Sequence, residues 1–147
     1  MAISQPKFDA KAQVDDESLA QLQEGTGRTI LVVEDDPDVR RVTIERLKIL
    51  GYKILEADSG SSALAIVESG APIDLVFSDV NMPGGMSGFE LAQRVRERRP
   101  EQKLLLTSGF TGESAQAGEA AISGALILRK PYSQQELGGC VRVALEA

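Results

Sequence analysis

This 147-residue chain contains no histidine and no tryptophan, and its single cysteine is Cys140. Without histidine there can be no serine-hydrolase triad, no histidine general base and none of the common zinc sites. Any phosphohistidine this protein met would have to belong to another protein. A lone cysteine excludes an intrachain disulfide, which fits a reducing compartment. No apolar stretch approaches the ~20 residues of a membrane span, and the N-terminus has no signal-peptide core. Basic charge is short as well: 16 Lys and Arg against 22 Asp and Glu leave a net charge of -6. A nucleic-acid partner, which needs a basic face to neutralise phosphates, is therefore not expected. The arginines of residues 94–99 have helical spacing and read as a solvated face. These absences leave a cytoplasmic protein with neither membrane nor nucleic acid among its expected partners. Its 42% hydrophobic content is enough for one packed domain.

The rest of the chain is organised around Asp74-Leu75-Val76-Phe77-Ser78-Asp79, which runs straight into Val80-Asn81-Met82-Pro83-Gly84-Gly85. A short apolar run ending on a carboxylate and followed by a Pro/Gly turn reads as a buried parallel strand. Such a strand delivers Asp79 to the carboxyl end of a sheet, where open α/β folds place their ligands. Residues 1–27 are polar, with the acidic run Asp15-Asp16-Glu17. Val14, Leu19 and Leu22 suit one face of a short helix, and the segment reads as a tail or linker. From residue 28 onward the pattern alternates. Strands are expected at 29–33, 53–57, 74–78, 103–106 and 125–129. A helix opens at Pro37, with Val39, Val42, Leu47 and Leu50 as its buried stripe and Gly51 as its close. A second spans 59–69 and packs through Ala63, Ile66 and Val67, and a third spans 88–98. A short fourth helix is expected in the Gly-, Ala- and Ser-rich stretch 111–123. The last runs from about Gln134 to Leu145, with Ser133 and Glu136 spaced as a capping box and Gly138 and Gly139 weakening it. Five strands alternating with five helices predict an α/β fold, a flavodoxin-like doubly wound parallel sheet of order 2-1-3-4-5. No Gly-rich nucleotide loop competes with this scheme.

In that order Glu34 and Asp35, after the first strand, share a crevice with Asp79. Three clustered carboxylates raise one another's pKa unless a cation sits among them, and a hard divalent ion such as Mg2+ satisfies oxygen donors. The expected ligands are Asp35 and Asp79 directly, the carbonyl of Asn81, and Glu34 through water. The plainer alternative is that Glu34, Asp35 and Asp36 cap the first helix, where acids suit the dipole. Capping accounts for Asp36 but not for Asp79, which ends a different strand. Lys130, just before Pro131, is either a solvated strand end or a point charge for an incoming phosphate. Thr107, ending the fourth strand, can donate to the same phosphate. The set suits phosphoryl transfer onto Asp79, giving an acyl phosphate.

The motifs Ile30-Leu31-Val32-Val33-Glu34-Asp35-Asp36-Pro37, Asp79-Val80-Asn81-Met82-Pro83, Leu105-Leu106-Thr107-Ser108-Gly109 and Arg129-Lys130-Pro131-Tyr132 resemble those of the response-regulator receiver domain of two-component signalling. The resemblance covers about residues 28–147. It implies that Asp79 is phosphorylated by a histidine kinase or a histidine phosphotransfer protein, with Mg2+ required. It further implies that Glu34 and Asp35 hold the ion, that Lys130 contacts the phosphoryl group, and that Thr107 moves toward it. A downstream protein partner is expected, and no enzymatic turnover beyond the domain's own phosphorylation and dephosphorylation. Three features depart from the common pattern. Ile127 stands where many receivers carry an aromatic switch residue. The turn from Met82 to Gly88 is one residue longer, as in receivers fused to hybrid kinases. The stretch around the expected fourth helix is also similar to that group, suggesting an order–disorder signal in place of a rotamer switch. No DNA-binding output domain is expected. Two competing readings are a haloacid-dehalogenase-type phosphatase and a pseudo-receiver. The phosphatase needs an acid where Asn81 stands. The pseudo-receiver binds partners without phosphorylation, and Ile127 alone leans toward it.

Overall fold

The computed structural model describes residues 27–109 and 125–147. Five strands form one parallel sheet of order β2-β1-β3-β4-β5, as expected. They are β1 (Thr29–Val33), β2 (Lys53–Ala57), β3 (Leu75–Asp79), β4 (Lys103–Ser108) and β5 (Leu126–Arg129). The helices are α1 (Pro37–Ile49), α2 (Gly60–Glu68), α3 (Gly88–Arg98) and α4 (Gln134–Glu146). The expectation of five helices is corrected, since the described residues contain four. The stretch assigned to the additional helix, 111–123, lies outside the described residues.

The sheet is covered on both sides, which explains its nearly continuous apolar strands. Alternate residues face opposite layers. Leu31, Val33, Val76, Leu104 and Leu106 point into one core, with Ala63 and Val67 of α2 and Leu91 and Val95 of α3. Ile30, Val32, Leu75, Phe77 and Leu105 point into the other, with Leu47 of α1 and Leu137 and Val141 of α4. The helix ends are chemically defined. Asp36 caps α1 by accepting from the N–H groups of Asp38 and Val39, with Pro37 at its first position. Ser59 and Ser62 form a capping box on α2, and Ser133 and Glu136 form one on α4. Despite Gly138 and Gly139, α4 runs for 13 residues. Gly138 lies close to α1, where a Cβ would meet Leu50 Cδ1 at 3.5 Å.

The buried stripe expected for α1 is half right. Leu47 is buried and Leu50 is packed against the core, but Val39 and Val42 are 40% and 45% exposed. Thr43 takes the inward position instead, with Ile44 beside it. Two arcs of this helix carry aliphatic residues, and the sheet beneath selects the one bearing Ile44 and Leu47. Among the described residues no helix is long and apolar enough to cross a membrane. Leu47→Ala is expected to cost about 2–5 kcal/mol in chemical denaturation, whereas Val42→Ala should change stability by less than about 0.5 kcal/mol.

Candidate functional site

The parallel register decides which strand ends meet. Val33 of β1 lies opposite Ser78 of β3, so Glu34 and Asp79 leave the sheet side by side. Asp79 is paired with Thr107, and Thr107 with Leu128, two residues before Lys130. Backbone bonds tie the rim down: Glu34 N–H donates to Ala57 O at 3.1 Å, Val80 N–H to Thr107 O at 2.9 Å, and Lys130 N–H to Ser108 O at 2.8 Å.

Glu34, Asp35 and Asp79 each offer a carboxylate oxygen, and these oxygens lie within 4.8 Å of one another. Glu34 and Asp79 are buried, while Asp35 is exposed. The Asp79 carboxylate is held at both oxygens. Lys130 Nζ donates to Oδ2 at 3.2 Å, and the Asn81 backbone N–H donates to Oδ1 at 3.1 Å. The Thr107 hydroxyl is buried with no hydrogen-bond partner among the described residues. A buried hydroxyl left unpaired carries a desolvation cost that an arriving acceptor oxygen would remove. The six residues expected from sequence (Glu34, Asp35, Asp79, Asn81, Thr107 and Lys130) are thus brought to one rim. Asn81 reaches Asp79 through its N–H.

Glu34 is the strained member. Its carboxylate accepts from Asp36 N–H at 3.1 Å, and Arg40 Nη1 donates to its backbone carbonyl at 2.8 Å. Burial pushes its carboxyl from 4.5 up to about 7, and a side-chain hydrogen bond with Asp35 and then the nearby Asp79 charge push the same way. The Asp36 hydrogen bond and the Lys130 charge oppose this without cancelling it. An all-oxygen donor set carrying more negative charge than Lys130 balances suits a hard divalent cation.

Sequence reasoning missed three contributors. Gly88, the first residue of α3, lies so near the Asp79 backbone that a Cβ would collide with the Asp79 carbonyl oxygen and stand 2.8 Å from Val80 Cα. Its place between the Ser87 cap and an amphipathic helix was the available signal. Tyr132 and Thr43 line the cleft below Glu34, Asp79 and Lys130. Their part depends on α1 and the segment after β5 lying together, which no local pattern reports.

Residues 30–142 match the family described as the response regulator receiver domain. The chain belongs to that family. This receiver domain is 34% identical over 110 residues to the response regulator receiver protein CpdR of Brucella abortus, covering 75% of this chain and 90% of the relative. It is 36% identical over 119 residues to the sensor kinase CckA of the same organism, covering 80% of this chain but spanning only 12% of that protein's length. A receiver-domain crystal structure from Clostridium thermocellum superposes with a TM-score of 0.74 at 28% identity, covering 81% of this chain and 94% of the other. The domain is therefore a two-component signal-transduction module, and its acidic cluster stands at the carboxyl ends of β1 and β3, where open α/β sheets place ligands.

The Glu34 shift has a definite sign. Between pH 4.5 and about 7 the folded state keeps a proton that the unfolded state has released. The stabilising contribution is complete below the lower value and is lost as pH rises through the upper one. In Mg2+-free urea titrations, the stability of the wild type relative to Glu34→Gln should therefore fall across that window.

Proposed function

We propose that this domain is a phosphoacceptor in a two-component phosphorelay, with Asp79 taking a phosphoryl group from a phosphohistidine on a partner. The observation that carries this reading is the Asp79 carboxylate, buried between two further acids and the Lys130 ammonium. An Asp79 oxygen attacks phosphorus, the partner's P–N bond breaks, and its electron pair stays with the imidazole. The product is an acyl phosphate on Asp79. Lys130 provides a positive charge for the phosphoryl oxygens, and the unpaired Thr107 hydroxyl is a donor already in place beside them. The Asn81 N–H orients the accepting carboxylate. Glu34, Asp35 and Asp79, with the carbonyl of Asn81, are the residues to hold Mg2+. Bound there, the ion supplies charge neutralisation for the transferring group.

These 147 residues contain no histidine, so the donor lies outside them. A histidine kinase or histidine phosphotransfer protein fits, and a relative named as a sensor kinase supports it. Phosphorylation then shifts the domain, cytoplasmic and spanning residues 28–147 after a tail or linker at 1–27, toward a state that binds a downstream protein. It acts as a signalling receiver, with no substrate beyond its own phosphoryl group. Ile127, partly buried against the α2 and α3 core, supports one other reading, a pseudo-receiver that binds partners without phosphorylation.

Intact mass after incubation with Mg2+ and acetyl phosphate separates the two. One added phosphate is expected on the wild type, and none on Asp79→Asn or without Mg2+. Lys130→Ala should slow the uptake by roughly 10²-fold. No adduct on a folded wild type would overturn the proposal in favour of the pseudo-receiver. Because the proton and the cation compete for Glu34, Mg2+ should also raise the thermal midpoint more at pH 8 than at pH 5.

A further inference from the structure

The turn between Asp79 and α3 carries Asn81, and it is held chiefly by shape. At its base, Gly88 N–H donates to Val80 O at 2.9 Å, and the missing Gly88 side chain lets α3 lie directly on the Asp79 backbone. Met82 is 6% exposed and enters the core between the sheet and α2 and α3. Gly84 has a φ of +85°, and a Cβ on it or on Gly85 would have nothing within 4 Å, so the tip of the turn makes no close contacts there. On the returning arm, Met86 crosses to α2 and lies on Gly60. A Cβ at Gly60 would stand 2.9 Å from Met86 Sδ, 3.0 Å from its Cβ and 3.2 Å from its Cγ. Gly60 itself is buried and opens α2 directly after the Ser59 cap.

We propose that the Met86–Gly60 contact is a positioning device for the metal-binding rim, and that it sets where Asn81 stands. The inference rests on the reading above that Asn81 is a ligand. The outgoing arm is fixed by Met82 and the base by Gly88. Without a seat for Met86, the returning arm would have no comparable anchor before α3 begins. A methionine suits this role because its unbranched, polarizable side chain spreads over a surface with no side chain of its own. The seat is also unforgiving. A methyl group at Gly60 meets Met86 at its Cβ as well as at its flexible tip, so a rotamer change alone does not relieve the contact and the backbone of the turn must move. Mg2+ demands near-octahedral oxygen geometry, so a small displacement of one ligand is felt in affinity. Residues that only support metal ligands typically alter affinity by about 10- to 100-fold. Gly60 and Met86 are accordingly positioning residues, acting through Asn81.

The test is a Mg2+ titration of 15N-labelled protein that follows the Asn81 amide resonance, with the thermal midpoint recorded beside it. Gly60→Ala and Met86→Ala should each weaken Mg2+ binding about tenfold and shift the Asn81 resonance before any metal is added. Met86→Leu, which keeps volume and apolar character, should stay close to wild type. The double variant Gly60→Ala/Met86→Ala should lose about as much as one single variant, because both act through one contact. Wild-type affinity in both single variants with the Asn81 resonance unmoved overturns the proposal, whatever the thermal midpoint does. Losses that multiply to about 100-fold overturn it too, since they would show two independent effects. If Gly60→Ala does not fold, Met86→Ala against Met86→Leu decides. A wild type that binds no Mg2+ defeats the metal reading and not the contact. The Asn81 resonance of the metal-free variants then shows whether the contact positions the turn.

Discussion

Three carboxylates held within 4.8 Å of one another, two of them buried, are an arrangement that no chain adopts for its own stability. The sheet imposes it. β1, β3 and β4 are pinned in parallel register by apolar side chains on both faces, so the polar residues at their carboxyl ends have no freedom to separate. Lys130 relieves part of the repulsion at Asp79 Oδ2, while burial, more than its neighbours' charge, holds the Glu34 carboxyl above its ordinary pKa. The rim is thus arranged for a positively charged visitor and for a group whose oxygens need donors. Core burial is what keeps it so.

Rigidity is distributed unevenly around this rim. The strand ends are held by ladder hydrogen bonds, and the turn at α1 by the Asp36 cap and by Arg40, which also bonds Glu56. The turn after β3 adds close approach to its hydrogen bonds: a glycine against the Asp79 backbone, one buried methionine and another seated on a second glycine. Hydrogen bonds tolerate some angular play, whereas steric contacts with no spare volume do not. The packing of this side of the rim therefore depends on side-chain volume in α2 and α3.

In this member of the receiver family an acidic cluster and an unpaired threonine hydroxyl stand at the carboxyl end of an otherwise apolar sheet. Ile127, an aliphatic side chain on β5, packs against the α2 and α3 core.

Much of this was legible in the sequence because both faces of the sheet are buried. Strands of this kind read as uninterrupted apolar runs, and β1 and β2 fall where the sequence places them. β3 lies one residue further along than expected, and β4 extends through Thr107 and Ser108. Pairing with β3 and β5 recruits those polar residues into the ladder, although their side chains suggest a strand end. The chemistry of the rim was legible as well, since a carboxylate, hydroxyl or ammonium ending an apolar run can be recognised from residue type alone. The inward face of α1 was not. Its periodicity allows two apolar arcs, and only the sheet below selects Thr43 and Leu47 over Val39 and Val42. Nor could sequence pair Lys130 Nζ with Asp79 Oδ2, or seat Met86 on Gly60. Local sequence determines which groups a strand or helix carries, because propensity and periodicity act over a few residues. Which groups touch depends on the three-dimensional meeting of segments tens of residues apart, and only the tertiary structure decides that.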